Sequence, residues 1–77
     1  MKNEIRLERQ NFKNQIKSLA LMKGMSLTKL KKIINEKYNK TDSVDNFTKK
    51  LRNSTLRADE YFEIIEALGW EIVLREK

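Results

Sequence analysis

Residues 43–53 read SVDNFTKKLRN. Val44, Phe47 and Leu51 recur at spacings of three and four, the signature of a short helix with one apolar side. The other side carries Asp45, Asn46, Lys49, Lys50 and Arg52. Asp42 or Ser43 caps the amino end, since either side chain can accept from the free N–H groups of a first turn. Such a helix must dock through its narrow apolar seam and present the polar side outward. The rest of the chain has to supply the scaffold.

Upstream, Asn39-Lys40-Thr41-Asp42 is a polar break, and Asn39 suits a left-handed backbone. Before it lies a second amphipathic helix capped by Ser26. Leu27, Leu30, Ile34 and Tyr38 line one face with Ile33 beside them, and Lys29, Lys31, Lys32 and Lys37 cover the rest. A first helix runs from about residue 8, or earlier, to Lys23, with Phe12, Ile16, Leu19 and Ala20 inward and Met22 off the stripe. Gly24 ends it as a left-handed residue. Downstream, Asn53-Ser54-Thr55 is a second break. A fourth helix follows with Ala58, Tyr61, Phe62, Ile65 and Leu68 on one face and Ile64 beside it. Asp59 and Glu60 occupy its first turn, where the dipole favours negative charge, and Gly69 stops it.

The fold class expected is therefore all-α: a single four-helix domain over 1–77, with its core at about 13–70. A short C-terminal strand is expected at 70–75, where Trp70, Ile72 and Leu74 alternate with Glu71 and Arg75 while Val73 falls on the polar side. A lone strand leaves its backbone groups unpaired. Its partner is either the same strand of a second copy, antiparallel across a two-fold axis, or Glu4-Ile5-Arg6-Leu7-Glu8, which also alternates. Those N-terminal residues can instead lengthen the first helix, because Ile5 stands seven before Phe12, and that reading is preferred.

Composition narrows the classes. A 77-residue chain buries only about 60% of its unfolded surface and is marginally stable. With neither Cys nor His, disulfides and thiolate or imidazole zinc sites are excluded. Self-association is then the expected source of extra support. No apolar run suits a membrane span, and MKNEIRLERQNFKNQ has no apolar centre of a signal peptide. A soluble cytoplasmic protein is the default expectation. Seventeen Lys and Arg stand against eleven Asp and Glu, for a net +6. The excess is confined to residues 1–40, with eleven basic and three acidic side chains, against six and eight in 41–77. Such a basic surplus suits a polyanion, because each phosphate neutralised releases counterions.

Helices two and three, separated by a tight break, make a helix-turn-helix. An α-helix fits the major groove of B-DNA, and the first turn of such a helix reaches base edges. Met25-Ser26-Leu27-Thr28-Lys29-Leu30 resembles the start of the second helix in the lambda-repressor/Cro-like helix-turn-helix family. Ser43-Val44-Asp45-Asn46-Phe47-Thr48-Lys49-Lys50-Leu51 resembles its recognition helix. Leu56-Arg57-Ala58-Asp59-Glu60 through Ile65-Glu66-Ala67-Leu68-Gly69 resembles the helix that follows. The resemblance covers about residues 13–70. It implies base contacts from Val44, Asp45 and Lys49, to which the groove argument adds Asn46. It implies phosphate contacts from Thr28 and Ser43 at helix amino ends, and from Arg52, Asn53 and Ser54 in the loop after the recognition helix; Thr48 joins this phosphate set. Phe47 and Leu51 match core positions. The sequence departs from the family in three ways: the break from Tyr38 to Asp42 is longer, it lacks the turn Gly, and Lys31 replaces the small residue packed against the recognition helix. These departures bear on how the third helix docks.

Plainer roles stand beside these. Asp45 reads cytosine through its amino group, or simply stabilises the amino end of its helix. Lys29, Lys31, Lys32 and Lys37 face phosphates, or only water. Tyr61, Phe62 and Trp70 are expected in the core rather than as a base-stacking platform. With no His, Cys or Gly-rich phosphate loop there is no catalytic constellation, and neither an enzyme nor a cofactor is expected. The leading expectation is a dimeric, sequence-specific binder of double-stranded DNA that represses by occupying a promoter. The alternative is a protein-interaction module, an inhibitor or antitoxin on the same fold, using the third helix or the acidic Asp59, Glu60, Glu63 and Glu66.

Overall fold

The computed structural model describes residues 4–77. It is all-helical, and no strand occurs among the described residues. A single 3-10 turn, Arg9–Asn11, leads into α1 (Phe12–Met22), α2 (Leu27–Tyr38), α3 (Val44–Asn53) and α4 (Ala58–Ala67). α2 packs against α1, α3 and α4, and α1 also packs against α3.

Each helix ends in the same way. Gly24, Asn39, Ser54 and Gly69 all take left-handed backbones, with φ of 71°, 55°, 55° and 82°. The N–H of the next residue then donates to the carbonyl five residues back: Met25 to Ala20, Lys40 to Asn35, Thr55 to Lys50 and Trp70 to Ile65. This closes carbonyls that a helix end leaves open. Glycine serves two of these ends without strain. Asn39 does so at the long break, which explains how a turn lacking Gly still reverses the chain.

The core is Phe12, Ile16, Leu19 and Ala20 from α1, Leu30 and Ile34 from α2, Phe47 and Leu51 from α3, Leu56, and Ile64, Ile65 and Leu68 from α4 and its end. The stripes read from the first three helices face the core, with Leu27, Tyr38 and Val44 half-buried at its margin. α4 is turned from its expected orientation. Ala58 is exposed and Phe62 is 49% exposed, whereas Ile64 is buried together with Glu60. Phe62 is thus not a core residue. Tyr61 meets Phe12 edge-on at 5.0 Å, and Trp70 packs on the core's margin.

Both chain ends depart from expectation. Residues 4–8 do not extend α1. The Gln15 amide holds them extended by donating to the Arg6 carbonyl at 2.9 Å and accepting from the Glu8 N–H at 2.8 Å. Residues 70–75 form no strand, because no neighbour among the described residues supplies ladder hydrogen bonds. They lie beside residues 4–7, tied by an Arg75–Glu4 ion pair of 2.7 Å. Met1–Asn3, included in the expected 1–77 domain, lie outside the described residues.

Asn39 is the backbone hinge that aims α3. Asn39→Ala is expected to lose about 1 kcal/mol in urea denaturation, the cost of a left-handed non-glycine residue, and Asn39→Gly to lose less.

Candidate nucleic-acid interface

α3 is capped by Ser43, whose Oγ accepts from the Asn46 N–H at 3.1 Å, and not by Asp42. Phe47 and Leu51 anchor its inner side, and Val44 is half-buried beside them. Asp45, Asn46, Lys49, Arg52 and Asn53 are exposed along the outer side, as is Ser54 at its end. Positions 45, 49 and 52 share one helical face. Thr28 is exposed in the first turn of α2. Ser43 is exposed too, although its oxygen is engaged by the cap. Thr48 differs from the rest. It is half-buried, and its hydroxyl donates back to the Val44 carbonyl at 2.9 Å. Its one proton is spent inside the helix, which leaves it nothing to give a phosphate.

Asp42 takes a different part. Its backbone carbonyl accepts from Asn35 Nδ2 at 2.9 Å. Its carboxylate lies 3.7 Å from both Lys31 Nζ and Lys50 Nζ. The long turn is thus tied to α2 twice and to α3 once. Lys31, read both as one of the lysines covering the outside of its helix and as the residue standing where a small one packs against the third helix, is only 3% exposed. Its ammonium sits 5.3 Å above the Phe47 ring, a cation–π contact that accompanies its ion pair. The long stem lies between α2 and α3, and the charge is compensated by Asp42. The buried lysine of α2 and the acid of the long turn therefore answer one another.

Lys50 continues the chain of charges to Glu60 at 3.0 Å. Glu60 Oε1 accepts from the Arg57 N–H at 3.0 Å, closing the amino end of α4. Burial alone would raise the Glu60 carboxyl, but the Arg57 N–H and the Lys50 ammonium outweigh it and hold the group below the usual carboxylate range. Glu63 pairs with Lys40 at 2.7 Å, a hydrogen bond that raises the lysine. Glu66 accepts from the Tyr38 hydroxyl at 3.0 Å; burial and this carboxylate both push the phenol up. Three of the four acids of α4 are thus consumed within the molecule, and Asp59 lies 3.7 Å from Arg57.

The cations divide accordingly. Lys31, Lys40, Lys50, Arg57 and Arg75 have carboxylate partners. Among the described residues, Lys49 and Arg52 on α3 and Lys29, Lys32 and Lys37 on α2 have no ion pair, and all five are exposed; the same lack of an ion pair holds for Arg6, Arg9, Lys13, Lys17, Lys23 and Lys77. The supporting set of Lys31, Asn35, Asp42, Lys50 and Glu60 escaped the sequence reading. Only the place of Glu60, in the first turn of α4 and three residues after Arg57, signalled part of it, since a Glu there can accept from the N–H that opens the helix.

Comparisons with family models, curated proteins and solved structures find no match to this chain. Its functional reading rests on its own residues.

Glu60 gives this network a pH signature. Its carboxyl lies below its unfolded value, so its stabilisation is complete above that value and is lost as pH falls through the folded one. Glu60→Gln keeps the acceptor for the Arg57 N–H but loses the charge. It is expected to cost about 1 kcal/mol near neutral pH and to flatten the acid side of a stability–pH curve followed by urea denaturation.

Proposed function

We propose that the protein is a small transcriptional regulator that binds double-stranded DNA. In this reading α2 and α3 act as a helix-turn-helix, with α3 in the major groove. The observation that carries it is the outer face of α3. Asp45, Asn46, Lys49 and Arg52 project from a helix whose inner side is fixed in the core, and its two outer cations have no ion pair among the described residues. A face of exposed donors and acceptors on a rigid support suits base edges and phosphates.

Val44, Asp45, Asn46 and Lys49 are the base-reading positions. Asn46 is suited to adenine, and Asp45 accepts from a cytosine amino group and disfavours other bases by its charge. Arg52, Asn53 and Ser54 follow the phosphate backbone, joined by Ser43 and by Thr28 at the amino end of α2. The exposed lysines of α2 add sequence-independent attraction. The functional unit is a homodimer on an inverted repeat, and occupancy of a promoter is the simplest route to repression.

The alternative, a protein-interaction module using the acidic α4, has less support. Glu60, Glu63 and Glu66 already serve Lys50, Lys40 and Tyr38.

Fluorescence-anisotropy titration of a random-sequence duplex tests the reading. Lys49→Glu with Arg52→Glu should abolish measurable binding. The neutral replacement Arg52→Gln should weaken it and reduce the slope of log affinity against log salt by about 0.9 for the phosphate contact removed, whereas Lys49→Gln, at a base-reading position, should chiefly relax sequence preference. Equal binding by the doubly reversed variant would contradict the proposal.

A further inference from the structure

From Arg9 to Asn35 the chain carries seven Lys and Arg and no acid. Glu8 and Glu36 border this stretch, and neither has an ion pair among the described residues. Lys29, Lys31 and Lys32 belong to α2. Arg9, Lys13, Lys17 and Lys23 lie outside the helix-turn-helix. Arg9, Lys13 and Lys17 stand four residues apart, from the 3-10 turn into α1. That spacing brings side chains together on a helix, and like charges so placed destabilise it. No acid of α1 offsets this cost. Arg9 and Lys17 are exposed, and Lys13 is half-buried. At 3.6 residues per turn, Lys13 and Lys17 run along one flank of the buried stripe of Phe12, Ile16, Leu19 and Ala20. Gln15 and Met22, on the other flank, are engaged with the chain ends.

We infer that this cationic flank of α1 binds the phosphate backbone of a second DNA segment, apart from the one held by α3. Cations at intervals of about 6 Å along a helix suit a line of phosphates. A protein partner fits less well, because interface centres are depleted in Lys. A lipid surface needs an apolar stripe to sink into it, and exposed Leu21, one step beyond Lys17, does not form one alone. α1 packs on α3, and both bury their stripes in one core. A duplex on the outer side of α3 is therefore separated from α1 by α3 itself, a helix diameter of about 10 Å. The contact reads no base edge and is independent of sequence. So few cations set it at the weak end of nonspecific binding, with a Kd of about 10⁻⁴ M. It escapes a titration at low protein concentration and is populated at the concentrations used in NMR. A molecule seated through α3 would thus draw a second stretch of DNA toward it.

This goes beyond the function proposed above and rests on it only for the choice of polyanion. Nitrogen–proton correlation spectra of the full chain, titrated with a short duplex to several-fold excess, read the two surfaces separately. Signals of residues 43–54 should move first. Those of Arg9, Lys13 and Lys17 should move in a second, weaker phase that disappears as salt is raised. Lys13→Glu with Lys17→Glu should weaken the second phase about tenfold or more and leave the first unchanged, with circular dichroism confirming the helices. Lys17→Gln, at an exposed position, should weaken it less. Movement of the α1 signals alone would contradict the function proposed above and keep the phosphate contact on α1. Stationary α1 signals in excess duplex overturn the inference whatever α3 does, and so does a second phase indifferent to both variants. Vesicles of anionic phospholipid supply the last arm: α1 signals that broaden there and stay still with duplex overturn it in favour of a lipid surface.

Discussion

Asp42 holds the arrangement on which the rest depends. It stands at the end of a five-residue connection between α2 and α3 that has no glycine. Left alone, a connection of that length would let α3 adopt many angles. Its carbonyl is bound by Asn35, and its carboxylate lies between the ammonium groups of Lys31 and Lys50. Each ion pair at 3.7 Å is individually weak. Their value is geometric. One side chain relates two helices and a turn, while Phe47 and the stem of Lys31 fill the space beneath. The orientation of the outer face of α3 follows from this.

The same network determines which charges remain available. Lys50 and Lys40 reach the acids of α4 and are thereby withdrawn from the surface. Lys49, one residue away from Lys50, points elsewhere and has no such partner among the described residues. Adjacent lysines on one helix thus do different work, and helical geometry alone separates them. An overall charge of +6 understates the contrast, because much of the acidic complement is paired internally. Among the described residues, unpaired cations remain on the exposed positions of α2 and α3, and also on residues 6–23 and at Lys77, so a polyanion would meet positive charge on more than one side of the molecule.

Much of the fold was legible in local signals. Ser26 and Ser43 cap their helices, Gly24 and Gly69 end theirs, and Asn39 takes the left-handed backbone expected of it. These depend on a few neighbouring residues and their conformational preferences. The failures share a different cause. Lys31 looks exposed by composition, and its burial needs Asp42 and Phe47, brought close only by tertiary packing. α4 reads most naturally with Phe62 inward. It turns because Glu60, a charged residue in a core position, is satisfied by Lys50. The N-terminal segment follows a helical period, yet the Gln15 side chain captures it as extended chain. The C-terminal alternation is real in the sequence, but a strand requires a neighbour, and none pairs with it among the described residues. The outer face of α3 was legible because a helix needs only its apolar seam to define its opposite side. That Thr48 spends its hydroxyl on its own helix was not.

The most direct test is selection of bound sequences from a random duplex pool at several salt concentrations. A DNA-reading α3 on a two-fold dimer should enrich an inverted repeat, with half-sites about one helical turn apart and affinity falling steeply with salt. Weak binding, or salt-sensitive binding with no enriched motif, would contradict it and leave the basic charge as a nonspecific attraction.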